Sequence, residues 1–229
     1  FGLFETLAGL SFLYGGFTRL FAAVLAVVWL AAWPVAGPLV ALENLPLLGW
    51  AGFFWLAGRG PLALDRLLFP RLEPTSEQMR RAPPVLRVAT GLGIMILALT
   101  QNLANGAGVL AVLRDHPFNL LAGAGLGVPD ATFALIVGGV QFTAGLLIAL
   151  GVFSREVALV ALIPASLFVS LGLGQLPAAL PLLAALAFLL IWEGGANDEA
   201  LWLDGLRHGP LAINRPPPLL RGERVERPR

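Results

Sequence analysis

Residues 131–153, ATFALIVGGVQFTAGLLIALGVF, then Ser154-Arg155, then 156–172, EVALVALIPASLFVSLG, read as two apolar helices joined by a tight polar turn. Runs of this length with uncharged interiors are membrane-hairpin sequence. The hairpin occurs twice. Written against it with an offset of 136, the chain start pairs Ala8-Gly9-Leu10 with Ala144-Gly145-Leu146, Gly15 with Gly151, Phe17 with Phe153, Arg19 with Arg155 and Ala22 with Ala158. A Gly-x-Phe-(Thr/Ser)-Arg turn is thus shared, and Glu5 falls opposite Gln141. Recurrence of this kind reads as internal duplication. The expected fold is all-α: a polytopic transmembrane protein of two parallel four-helix units.

Composition supports a bilayer setting. Of 229 residues 57% are apolar and 13% charged, against about 25% charged in a soluble domain. All basic residues are Arg, and there is no Cys. Disulfides, thiolate catalysis and Cys-ligated metal are therefore excluded within this chain.

Taken in order, spans are expected at about 1–16, 19–40 and 44–59, making a first repeat over 1–60. Trp29 and Trp33 suit an interfacial belt, and Pro34 marks a kink or an end. Residues 61–84 read as a linker with a short interfacial helix, the Pro83-Pro84 pair marking the join between repeats. A second repeat over 85–195 holds helices at about 85–112, 131–152, 155–172 and 176–192, with Asp130 as N-cap of the second of these. Residues 196–229 read as an interfacial segment and an extended Pro- and Arg-rich tail. The second repeat has a helix before its hairpin and the first does not, so one further transmembrane helix is expected upstream of Phe1.

Counting spans places Arg19, Arg59, Arg66, Arg71, Arg80, Arg81, Arg87, Arg155, Arg207 and the five arginines of the tail on one side, and only Arg114 on the other. Positive-inside bias makes the crowded side, with the linker 60–85 and the C-terminus, cytoplasmic in a multi-pass cell-membrane protein. Arg19, Arg80, Arg81, Arg87 and Arg155 are then topology determinants and contacts for anionic membrane lipids. Spread between prolines beside the membrane, they do not point to nucleic acid. The span at about 1–16 corresponds to that at about 131–152 in the same direction, which makes the duplication parallel, not the inverted kind found in many transporters.

Polar residues inside the spans are the candidate site. Counting about 1.5 Å per residue from Arg19 puts Glu5 about 21 Å into the bilayer. Gln141 shares that depth, and Thr100, Gln101, Asn102 and then Asn105 reach a similar or slightly more outward level. An intramembrane carboxylate costs roughly 2.5–3.5 kcal/mol on insertion scales and marks a functional site by default. Amides and hydroxyls in spans also simply bond helices together, at about 0.6 kcal/mol each. Glu5 divides between a structural carboxyl and a group contacting a ligand, quinone or ion. Glu43 and Glu193, near helix ends, are expected to reach water. No metal site is assigned. His116 is the one position where a ligand would be sought, although a lone histidine in a connector is more often not one, and His208 lies on the opposite side.

The second unit is familiar in its motifs: Arg87 at the mouth of a glycine-bearing helix, a polar patch ending in Asn105, the connector His116-Pro117-Phe118-Asn119, and a helix ending Gly145…Gly151-Val152-Phe153-Ser154-Arg155. It resembles the DoxX-like family of small four-helix membrane proteins, which includes the DoxD-type subunit of thiosulfate:quinone oxidoreductase. The resemblance covers about 83–195, and less closely 1–60. It implies an acidic residue in the helix before the Gly-x-Phe-x-Arg turn, a place held by Glu5 in the first copy and Gln141 in the second. Relatives with a similar connector carry a Glu-Lys pair where this chain has Thr100-Gln101.

The resemblance implies a subunit, not catalytic on its own, of a membrane redox assembly. Quinone or lipid would lie between helices in the outer leaflet, and other membrane subunits would hold the redox centre. The polar layer also suits a transporter or permeation protein for a small solute, metal ion or proton. A scaffolding or lipid-interacting membrane protein is the third expectation.

Overall fold

The computed structural model describes residues 10–12, 17–58, 74–170 and 176–191, all within the unit Phe1–Glu193. Among these residues the regular structure is entirely helical. Helix α1 (Thr18–Ala36) passes through Pro34 and stops at Gly37, whose φ of 92° ends the helical path. A short α2 (Pro38–Glu43) follows, entered on Pro38, and α3 (Leu45–Ala57) returns the chain to a left-handed C-cap at Gly58. Glycine fits such a cap because it has no Cβ to crowd the carbonyl.

The helix expected over 85–112 differs in three ways. It begins earlier, as α4 (Ser76–Leu97), on a reciprocal capping box between Thr75 and Gln78. Pro83 and Pro84 therefore lie inside a helix and do not mark its boundary. Each proline removes an N–H from the ladder, and both lie in the first half of α4. Past Leu97 the ladder widens into a π-helical segment, Ala98–Leu103, closed by the Ala104 N–H on the Leu99 carbonyl at 2.8 Å. The rod then breaks at Ala104-Asn105, and α5 (Gly106–Asp115) starts anew, with the Asn105 side chain accepting the Gly108 N–H.

After the turn α6 (Leu120–Gly123) come α7 (Asp130–Leu150), α8 (Ser154–Ser170) and α9 (Leu176–Ile191), close to their expected bounds. Asp130 is not the N-cap of α7. Pro129 is, and Asp130 instead accepts a 2.8 Å hydrogen bond from the Asn119 amide. The interfacial helix and the tail expected from sequence lie outside the described residues.

Close helix approach orders the bundle. Pro46 packs at Gly93, Ala89 at Gly49 and Val85 at Gly52, so α3 and α4 run antiparallel. Gly91 of α4 meets the backbone of Gly145 and Ala149, and Leu103 meets Gly138, so α4 and α7 are antiparallel too. A core of Ile94, Ile148, Ala158, Leu186 and Leu189 joins α4, α7, α8 and α9. The Trp50 indole donates to the Pro181 carbonyl at 2.9 Å, linking α3 to α9.

Much of the outer surface is apolar. On α1 only Thr18, Ala22 and Trp29 are buried, whereas Leu20, Val27, Leu30 and Val35 are exposed; Ile136, Val140, Val160 and Ile163 likewise point outward on α7 and α8. Apolar exposure on this scale belongs in lipid. Three helical stretches, Thr18–Ala36, Ser76–Leu103 and Asp130–Leu150, are long and apolar enough to cross a membrane, and shorter apolar helices accompany them. The chain is an all-α, multi-pass membrane protein.

Candidate functional site

The polar layer forms where the π-helical segment faces two neighbours. The Thr100 hydroxyl donates to Glu43 Oε1 at 2.6 Å, and the Gln101 amide reaches Glu43 Oε2 at 3.4 Å. Asn102 turns to the other side and donates to Gln141 Oε1 at 2.6 Å. Successive residues on a helix are turned by about 100°, so three in a row cannot share one neighbour. Here the first two take α2 and the third takes α7. A π turn inserts an extra residue into the rod and often occurs where side chains are re-aimed for function.

Of the residues singled out in the sequence, Thr100, Gln101, Asn102 and Gln141 come together in this layer. Asn105 does not: it is exposed and spends its side-chain oxygen capping α5. Glu5 lies outside the described residues. Among the described residues the carboxylate that meets Thr100 and Gln101 is Glu43, which was expected to reach water. It is half-buried at the last position of α2. Its position is set by Gly37, which ends α1, and by Trp29, whose buried indole donates to the Ala41 carbonyl at 2.9 Å and pins α2 back onto α1. The available signal was the Gly37-Pro38 break, which marks a fresh helix of only one or two turns before Asn44-Leu45-Pro46. Such a short helix cannot carry Glu43 far from the bundle.

Along α4 the layer lies about 20 Å from Arg87, at about 1.5 Å per residue. Between the two the helices are tightly closed. Leu86, Ala98 and Ile148 are fully buried, and a Cβ on Gly91 would lie 2.5 Å from backbone atoms of α7. On the far side of the layer Gln101, Ala104 and Asn105 are exposed.

Among the described residues the arginines other than Arg114 gather at one end. The Arg19 guanidinium lies against Gly58 and that of Arg87 against Gly151. Given the antiparallel packing, the start of α1, the end of α3, the start of α4 and the α7–α8 turn share an end, and so do Arg80, Arg81 and Arg155. Both guanidinium contacts are at helix C-termini, where the carbonyl ends carry partial negative charge. The Nε and Nη2 atoms of Arg19 and Nε of Arg87 are buried with no hydrogen-bond partner among the described residues. Arg80 and Arg81 are exposed and pair with Glu77 at 2.6 and 2.7 Å, which contributes little to stability at such exposure. Arg114 lies at the opposite end, near Phe118, whose ring meets Phe133 at the start of α7.

His116 is exposed, and among the described residues no three His, Asp or Glu gather as a metal site would need. No family model matches the chain, and no curated protein or solved structure matches it either.

Proposed function

We propose that the chain is a non-catalytic membrane subunit that holds a hydrogen-bonding headgroup, of quinone type, at the Glu43–Thr100–Gln101 cluster in the outer leaflet. One observation carries the reading: a hydroxyl and an amide converge on a carboxylate at membrane depth, beside an exposed Gln101. A quinone carbonyl needs a donor, and the Gln101 amide has a second N–H beyond the one that reaches Glu43, while the Thr100 hydroxyl spends its one proton holding the carboxylate in place. Exchange of protons with the headgroup needs a carboxyl, and Glu43 is one. The redox centre is assigned to a partner subunit, in keeping with the resemblance of 83–195 to DoxX-like proteins. A permeation path is less well served, because the helices between the cluster and the arginine end are closed.

The same reading takes the architecture as two parallel repeats with the arginine end cytoplasmic. Its support is local. Phe17 and Phe153 are the two non-glycine residues with positive φ, at 56° and 51°, among the described residues. Each is followed by a buried Thr18 or Ser154, and Ala22 and Ala158 are both buried. A left-handed residue other than glycine costs about 1–2 kcal/mol, so its recurrence at matched positions favours common descent of the two turns.

The test is photolabelling of the full chain in lipid nanodiscs with an azido-quinone. Labelling is expected at residues 98–103 or beside Glu43, and Thr100→Val or Glu43→Gln is expected to reduce it several-fold to about tenfold, the range of one or two lost hydrogen bonds. Labelling that is unchanged in both variants, or that falls elsewhere, refutes the headgroup site.

A further inference from the structure

We infer that the Glu43 cluster favours the reduced, hydroxyl-bearing headgroup, a quinol, over the quinone; this rests on the headgroup reading given above. The preference follows from which hydrogen-bonding positions the cluster leaves open.

Both Glu43 oxygens act as acceptors, and they are held unequally. Oε1 takes the Thr100 proton at 2.6 Å, the short distance of a hydroxyl on a carboxylate. Oε2 takes the Gln101 amide at 3.4 Å, longer than the usual range of about 2.7–3.2 Å for N–H···O. A carboxylate has about four lone-pair positions, and among the described residues these two bonds are all that Glu43 receives. No arginine covers the rest. Of the helices packed on α2, α1 carries Arg19 and α4 carries Arg80, Arg81 and Arg87, which belong to the far end. The neighbouring Asn44 spends its amide on the Val40 carbonyl at 2.8 Å. The Thr100 contact is part-buried, whereas the Gln101 contact is exposed, so a ligand approaches from the Oε2 side.

An acceptor and a donor stand open together on that side: Oε2 itself and the second N–H of the Gln101 amide. A hydroxyl satisfies both, donating to Oε2 and accepting from Gln101. A quinone carbonyl satisfies only the amide and sets its own lone pairs against those of the carboxylate. Sites that hydrogen-bond a ligand hydroxyl discriminate against the analogue that lacks it. Because the Gln101 contact is exposed, the expected preference is about tenfold, the lower end for a hydrogen bond to a charged group.

A redox-inert pair of competitors tests this, a long-chain 4-alkylphenol and its methyl ether, which keeps the oxygen and lacks the proton. Each is used to displace the azido-quinone from the full chain in lipid nanodiscs, and mass spectrometry reads the label at residues 98–103. The phenol is expected to displace the label at about tenfold lower concentration than the ether. Glu43→Gln, which removes the charge that strengthens the bond, is expected to cut that ratio several-fold. Thr100→Val, which leaves both carboxylate oxygens in place, is expected to keep the ratio even as total labelling falls. Partition of the two competitors into the bilayer is common to native and variant chains, so a change in ratio belongs to Glu43. Equal displacement by phenol and ether in the native chain, or a ratio that survives intact in Glu43→Gln, overturns the quinol preference and leaves the headgroup site standing. Label that misses 98–103 and the surroundings of Glu43 altogether overturns both.

Discussion

Gly151 has two independent reasons to be glycine. Its φ is 79°, and a Cβ there would meet the Arg87 guanidinium carbon at 2.5 Å. Gly139, in the same helix, has nothing within 4 Å of its Cβ position. Gly151→Ala is therefore expected to lower stability by about 1–2 kcal/mol from the left-handed backbone alone, and by more if the guanidinium cannot move. Gly139→Ala should be neutral or stabilising by up to about 1 kcal/mol. Unfolding in mixed micelles, followed by tryptophan fluorescence, compares the two, and equal effects would refute the argument. At this scale the sequence was partly readable. Thr100, Gln101, Asn102 and Gln141 stood out as polar residues in apolar runs, and the structure joins Thr100 and Gln101 to Glu43 and Asn102 to Gln141. Glu43 did not stand out, because its partners lie more than fifty residues along the chain, at Thr100 and Gln101. Helix-end position says nothing about what another helix brings alongside.

At the scale of elements, α4 and α7 depend on Gly91 and Gly145 for their separation. Gly91→Ala would put a methyl 2.5 Å from the Ala149 nitrogen and the Gly145 oxygen, both backbone atoms that cannot rotate away. The helices must part, at a cost of about 1–3 kcal/mol as in other overpacked cores. Hydrogen exchange of the amides in 138–150 should quicken if they do; unchanged exchange would show that the seam tolerates the methyl. The helices 45–57, 130–150, 154–170 and 176–191 lie within a few residues of the bounds read from the sequence, where Gly, Pro and the hairpin turn punctuate apolar runs. The span expected over 19–40 instead stops at Ala36, and a separate helix takes Pro38–Glu43. The long helix was not legible. Two adjacent prolines read as a stop, yet the helix carries them in its first half. The π-helical segment and the break at Asn105 had no local signature beyond the polarity of Thr100-Gln101-Asn102.

At the scale of the whole molecule, Arg19, Arg80, Arg81, Arg87 and Arg155 at one end and Arg114 at the other make a prediction about sidedness. These 229 residues contain no cysteine, so single cysteines introduced among them are distinct reporters. Arg80→Cys and Leu120→Cys, both exposed positions, should react with a membrane-impermeant maleimide from opposite faces in intact cells, Leu120→Cys from outside. Reaction of both from one face would refute the proposed orientation.

The sequence by itself determined the class of protein: apolar runs of spanning length, scarce charge and segregated arginines are linear properties, written in composition and order, and lipid reads them without reference to tertiary contacts. Which residues Glu43 meets was decided only by the tertiary structure. That choice depends on the seams at Gly91 and Gly49, which set how far one helix slides along another, and so on distances between residues remote in the chain.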